Sequence, residues 1–168
     1  TLGIVGYGEL GRGVEKLAKA FGMQVLVAQR SGGRPVAGRV PLDQLLVRAD
    51  VVSLHVPLAE NTRHLIDARR LALMQPHALL INTARGAVVD NAALAQALRD
   101  GVIGGAAVDV LDTEPPSIDH PLLAADLPNL ILTPHTAWAG RAARQNVVDQ
   151  TVANIEGFLA GRPCNRVA

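Results

Sequence analysis

The stretch Leu2-Gly3-Ile4-Val5-Gly6-Tyr7-Gly8-Glu9-Leu10-Gly11 decides the fold. Leu2 to Val5 reads as a short buried strand. It runs directly into three glycines with G-x-G-x-x-G spacing. Beyond them Leu10, Val14, Leu17, Ala18 and Phe21 recur at helical spacing, with Arg12, Glu15 and Lys16 on other faces. Gly22 closes that helix as a C-terminal cap. Three glycines alone carry little information. Between a strand and a helix each has a distinct role. Gly6 allows the tight turn, Gly8 lets a pyrophosphate approach the backbone, and Gly11 lets the helix pack close to the sheet. The start of the helix adds free N–H groups and a partial positive charge. Glu9 and Leu10, in that first turn, therefore join the three glycines as candidate cofactor contacts.

Working outward, apolar runs alternate with helical patterns. Strands are expected at Gln24 to Ala28, Val51 to Leu54, Ala78 to Ile81, Ala106 to Val108 and Leu130 to Leu132. Helices are expected from Pro41 through Arg48, Asp67 to Met74, Asn91 to Arg99 and about Gly140 to Leu159. Pro41 suits a first helical position, and Gly101 ends the helix that precedes it. Strands that are continuous apolar runs belong to a parallel sheet covered on both faces. The fold class is α/β, a doubly wound parallel sheet forming a Rossmann-type dinucleotide-binding domain. That domain is expected over residues 1–160. Residues 161–168 would begin a return toward a substrate domain whose N-terminal part is absent from this chain.

Composition narrows the function. Aromatic residues are 2% of the 168, against 49% hydrophobic, so the core must be aliphatic. A formal charge of +1 suggests neither a nucleic-acid surface nor an acidic tail. The single cysteine, Cys164, fits a reducing compartment and a cytoplasmic location. No apolar run approaches the roughly 18 residues of a membrane span. The first residues read as strand rather than signal peptide, so the chain looks cut from something longer. No metal site is expected.

In such sheets ligands sit at the C-terminal ends of the strands, and here those ends are polar. After the second strand come Gln29-Arg30-Ser31, with no acid to bond a ribose 2′-hydroxyl. Gln29 can still bond a hydroxyl, while Arg30 and Ser31 suit a 2′-phosphate; the balance favours NADP weakly over NAD. Within "INTARGAVVD", residues 81–90, Arg85 stands just past a buried strand. Asp109-Val110-Leu111-Asp112-Thr113-Glu114 and Thr133-Pro134-His135 follow two further strands. Histidine is the natural proton donor near neutral pH. A carboxylate beside a histidine raises its pKa and fixes its orientation, and an arginine fork matches a carboxylate or polarises a carbonyl. Downstream of a dinucleotide loop, Arg85, Glu114 and His135 together point to hydride transfer with proton transfer by His135. His64, His77 and His120 read as structural or surface groups, and His55, at a strand end, borders the cofactor pocket.

The motifs "GIVGYGELGRGV", "ADVVSLHVPLAENTRHLI", "ALLINTARGAVVD", "GGAAVDVLDTEPP" and "NLILTPHTAW", in this order, resemble the nucleotide-binding domain of D-isomer-specific 2-hydroxyacid dehydrogenases, especially the glycerate dehydrogenase/hydroxypyruvate reductase branch. The resemblance runs from Leu2 to about Val167. It implies Arg85 as the substrate-binding arginine, Glu114 as the histidine's partner and His135 as acid/base. It implies Asp109 against the nicotinamide carboxamide and Thr83 and Ala84 along the cofactor. It also places His55, Val56 and Pro57 near the adenosine half, with Thr62 and His135 completing the cofactor set. A small 2-oxo or 2-hydroxy acid is the implied substrate and a homodimer the implied assembly, supported by the alanine-rich stretch Pro134 to Ala143. Two departures stand out: Gln29 replaces the usual acid, and the family's N-terminal substrate-domain segment is missing. The family also resembles transcriptional corepressors that sense nucleotides. A cofactor-binding module inactive by itself is a third possibility.

Overall fold

In the computed structural model, which describes residues 1–30 and 32–166, neighbouring residues of the first strand settle the layering. β1 (Leu2–Val5) is buried along its whole length. It lies between α1 (Glu9–Ala20) and α2 (Leu42–Arg48). A side chain at Gly3 would run into Leu45 and Ala49 of the α2 side, whereas Ile4 faces Gly11 of α1. Successive side chains of a strand point to opposite faces, so β1 is covered on both faces, whereas on the far flank Leu79 of β5 and Ile131 of β7 are exposed. Leu2, Ile4 and Ala18 form the smaller core under α1, and Val5, Leu45, Leu46, Val52, Leu54, Leu80 and Leu94 belong to the larger core on the other side. Each fully buried leucine contributes about 1.5–3 kcal/mol.

The remaining strands are β2 (Val25–Ala28), β3 (Arg39–Val40), β4 (Val51–Leu54), β5 (Leu79–Asn82), β6 (Gly105–Val108) and β7 (Leu130–Leu132). The sheet order is β3-β2-β1-β4-β5-β6-β7, and every pairing is parallel. The chain winds outward from β1 to β3 and then returns to β4 on the other flank. The junction of β1 and β4 is therefore the topological switch point. Three helices complete the fold: α3 (Ala68–Leu71), α4 (Asn91–Arg99) and α5 (Arg141–Leu159). Asp67 caps α3, and Asp90 caps α4 by accepting from Ala92 N and Ala93 N. Gly22 and Gly101, with φ of 77° and 65°, follow the ends of α1 and α4.

Three details differ from the sequence expectation. β3 has no counterpart in it, because two residues after Gly38 show no alternation to read. α3 stops at Leu71 rather than Met74, the chain continuing through turns. On α1, Leu10, Leu17 and Phe21 are exposed, while Gly11 and Ala18 are buried. Small residues face the sheet there because the helix must approach it closely.

The chain divides into two compact units, one of Thr1–Pro134 and one beginning at His135. The sequence reading carries one domain through residue 160. The first unit holds the whole sheet. The second contains α5, none of whose residues is buried. Among the described residues no helix is long and apolar enough to cross a membrane.

Candidate functional site

The parallel register aligns the strand ends. Val5 pairs with Leu54, Leu54 with Asn82, Asn82 with Val108, and Val108 with Leu132. The residues that follow, Gly6, His55, Thr83, Asp109 and Thr133, therefore start their connections at one level. With Gln29, which follows β2 at the same level, six connections leave one edge of the sheet, and the sequence-expected site residues that the structure describes lie on them.

The glycine loop opens a cavity of about 780 Å³ beside the switch point. Gly6, Gly8, Gln29, Arg30, His55, Val56, Pro57 and Thr62, all named from the sequence, line it. Gly6 has φ 98°, and a Cβ on it would press into the His55 carbonyl. A Cβ on Gly11 would overlap the Gly6 oxygen. Gly8 differs: nothing lies within 4 Å of where its Cβ would be. It is the N-cap of α1, and no side chain caps the helix there. The N–H groups at the head of α1 thus face an open, concave space, the arrangement that accepts a pyrophosphate. The residues present fit a bound dinucleotide.

Further along the cavity, Thr62 Oγ1 donates to Pro57 O at 2.7 Å and accepts from Ala59 N at 2.7 Å, fixing the wall formed by residues 57–62. His55 lies 2.9 Å from Ser53 Oγ through its Nε2. Burial pushes the His55 pKa down, disfavouring the charged ring. At the end of β2, Gln29 is already engaged: its Nε2 donates to Arg34 O at 2.6 Å and its Oε1 accepts from Val36 N at 3.1 Å. Gln29 therefore shapes the following loop from within. Arg30 is exposed and lines the cavity, and Ser31 lies outside the described residues. Sequence reading missed Tyr7 and Arg39 here. Both line the cavity, and the Arg39 guanidinium lies 5.2 Å from the Tyr7 ring centroid, with Arg12 at 5.8 Å. Among the described residues no carboxylate pairs with Arg30 or Arg39. Asp43, which also lines the cavity, is neutralised by Arg69 and Arg70.

The turn that carries Arg85 is built by Asn82, another residue whose role sequence reading missed. Asn82 is buried; its Nδ2 donates to Arg85 O at 3.0 Å and its Oδ1 accepts from Ala84 N at 3.1 Å. The Asn-Thr-Ala-Arg-Gly pattern was its available signal, since asparagine side chains close such turns locally. Arg85 is exposed and donates to Ala84 O at 2.6 Å. On β6's side, Asp109 is buried and accepts from Thr133 Oγ1 at 2.5 Å. Leu111 N donates to Glu114 Oε1 at 2.8 Å, holding that exposed carboxylate over its own loop. Thr83, Ala84 and Asp109 lie along the same sheet edge but do not line the cavity, and neither do Glu9, Leu10 and Gly11. His135 begins the second unit in a left-handed conformation, φ 51°, which histidine adopts more readily than most residues. Trp138 Nε1 donates to its carbonyl at 2.7 Å.

A parallel sheet with a switch point, a glycine turn feeding an uncapped helix and a cavity beside it define a dinucleotide-binding domain of the Rossmann type. Residues 1–137 match the family model described as "D-isomer specific 2-hydroxyacid dehydrogenase, NAD binding domain". The chain belongs to that family. It is 52% identical over 167 residues to a glycerate dehydrogenase of Methylorubrum extorquens, covering 99% of this chain and 52% of the relative. It is 41% identical to a glyoxylate reductase of Aeropyrum pernix, covering 96% of this chain and 49% of that protein. Two solved structures share the fold. An acyclic imino acid reductase in complex with NADPH and D-Arg matches with TM-score 0.87 and 34% identity, over 99% of this chain and 53% of that one. A D-lactate dehydrogenase with NAD+ from Lactobacillus jensenii matches with TM-score 0.85 and 30% identity, over 99% and 55%. The chain thus spans about half the length of the curated relatives it matches.

Proposed function

We propose that the protein carrying this domain is an NAD(P)-dependent oxidoreductase that interconverts a 2-oxo acid and a D-2-hydroxy acid, with hydroxypyruvate and glyoxylate as the candidate substrates. One observation carries the reading. Arg85 and Glu114 stand on the connections leaving two adjacent strands, β5 and β6, whose ends are in register with those bordering the dinucleotide cradle. The names of the similar glycerate dehydrogenase and glyoxylate reductase support the substrate class.

Bound in the cradle, the dinucleotide would supply a hydride to C2 of the oxo acid. The Arg85 fork grips the substrate carboxylate and polarises the C2 oxygen. His135 gives its proton to that oxygen in reduction and takes it back in oxidation. Glu114 orients the imidazole and stabilises its charged form. Arg30, with Arg39 lining the same cavity, favours the 2′-phosphate of NADP over the free hydroxyl of NAD. The protein acts as a cytoplasmic homodimer, and the domain alone binds cofactor but turns over poorly.

The test is steady-state reduction of hydroxypyruvate and glyoxylate by the protein carrying this domain. His135→Ala should lower kcat by roughly 10²–10⁴. Arg85→Ala should raise KM as well as lower kcat, because it contacts both ground and transition states. Dinucleotide affinity should survive both changes. Near-normal turnover in His135→Ala would send the proton to another donor and defeat the assignment.

A further inference from the structure

His120, read from the sequence as a structural or surface group, is buried. His120 opens the 3-10 turn Pro121–Leu123, and its side chain is 6% exposed. Its Nδ1 accepts the Leu122 N–H at 3.3 Å. The ring proton is therefore assigned to Nε2, which lies 2.9 Å from Asp112 Oδ1. Asn91, the buried first residue of α4, brings its Nδ2 to 3.5 Å from the same ring nitrogen and is also hydrogen-bonded to Asp112. Burial pushes the Asp112 carboxyl up, but the His120 and Asn91 donors outweigh it and hold the group below its ordinary value. Asp112 is thus an ionised hub that takes donors from two other elements.

The location of that hub gives it consequence. Asp112 precedes Glu114 by two residues, on the connection whose Leu111 N–H holds the Glu114 carboxylate. The backbone of Leu111 and Asp112 also lies directly on Gly86, where any Cβ would overlap the Leu111 carbonyl and the Asp112 nitrogen. Gly86 is the residue after Arg85. One short piece of backbone therefore touches the arginine's turn on one side and carries the glutamate on the other. Asn91 begins the helix that follows the arginine's turn, so both connections are tied to Asp112.

We infer that His120 is a positioning residue for the reaction: through Asp112 it clamps the 109–114 connection onto the Arg85–Gly86 turn and so sets where Glu114 stands relative to Arg85. The inference rests on the catalytic roles proposed for Arg85 and Glu114. His120 itself is buried and does not line the cavity, so it would act through Asp112. A clamp of this kind matters because a misplacement of about 1 Å can cost about 10²-fold in rate.

The experiment pairs two substitutions. His120→Gln places an amide nitrogen where Nε2 was and restores the donor to Asp112. His120→Asn places an amide oxygen where Nδ1 was and keeps only the bond from Leu122. In the protein carrying this domain, His120→Asn should lower kcat by about 10²-fold, with NADPH affinity and Tm close to those of His120→Gln. His120→Gln should recover most of the lost turnover. Equal kcat in the two variants, or losses that simply follow Tm, would reduce His120 to packing and overturn the inference. Long-range imidazole ¹⁵N–¹H correlation on the wild-type protein gives an independent readout. It should find the Nε2–H tautomer at His120 and a changed Nε2 signal in Asp112→Asn. An Nδ1–H tautomer in an active wild type would overturn this inference alone. A wild type that binds NADPH with the expected imidazole signature yet reduces no 2-oxo acid would instead defeat the catalytic reading, and the positioning role with it.

Discussion

Replacing Gly8 by valine should separate cofactor binding from folding. The three glycines of the loop are not equivalent. Gly6 needs its φ of 98° and lies against the His55 carbonyl, and Gly11 admits no Cβ beside the Gly6 oxygen. Gly8 has an extended backbone, φ −80° and ψ −157°, and open space where a side chain would go. The Cβ of Gly8→Val therefore has nothing within 4 Å outside its own chain neighbours, and the expected cost to the fold is that of a poorer N-cap, about 1 kcal/mol. The same side chain projects into the space before the head of α1, where a pyrophosphate must approach. Loss of a single hydrogen bond to a charged group costs about 1.5–3 kcal/mol, which is roughly 10- to 150-fold in Kd. NADPH fluorescence titration reads the Kd and a thermal melt reads the fold. Gly11→Ala is the contrasting control, since overpacking there costs about 1–3 kcal/mol of stability. An unchanged Kd in Gly8→Val would refute the pyrophosphate cradle, and a Tm loss as large as that of Gly11→Ala would refute the claim of open space.

Three further outcomes are expected. Arg30→Ala should weaken NADPH binding by about 1.5–3 kcal/mol and leave NADH nearly untouched; equal losses would show that Arg30 does not read the 2′-phosphate. Asp43, held below its ordinary carboxylate range by Arg69 and then Arg70, gives stability that is present above the unfolded value, 3.8, and lost as pH falls through the lower folded value. The Tm gap between wild type and Asp43→Asn should accordingly narrow in acid, and a gap constant from neutral pH down to strong acid would remove the ion pair as its cause. Sedimentation of the protein carrying this domain at micromolar concentration should give a dimeric mass, while a monomer would count decisively against the proposed assembly.

Much of this was legible in the sequence, for identifiable reasons. All the strands but β3 are short aliphatic runs bounded by glycine or polar residues, a local signal that needs no tertiary information. The two-residue β3 has none, and with it went Arg39, which reaches the cavity only because β3 pairs beside β2. The helical apolar spacing in α1 located the helix and included Ala18 and Val14 of its packed face, but it also pointed to residues that stay outside. Leu10, Leu17 and Phe21 are conspicuous in sequence, yet they are exposed, and closeness to the sheet selects Gly11 beside Ala18. The glycine turn and the strand-end polar groups were readable because spacing and chain order define them. Gln29 was readable as a missing acid and as a hydroxyl-bonding group, but not as a loop brace. Its hydrogen bonds to Arg34 O and Val36 N depend on how the following loop folds back, which spacing does not encode.

The switch point between β1 and β4 divides responsibility as well as topology. Arg30 stands on the flank of β2, and Arg85 on the connection leaving β5, with β1 and β4 between them. Residues far apart and without shared neighbours contribute independently to free energy. A double-mutant cycle across this line should close with almost no coupling. Under the roles proposed for Arg30 and Arg85, cofactor choice on one flank and acid recognition on the other are separable, so that a lineage or an engineer could exchange the coenzyme without re-optimising the substrate grip.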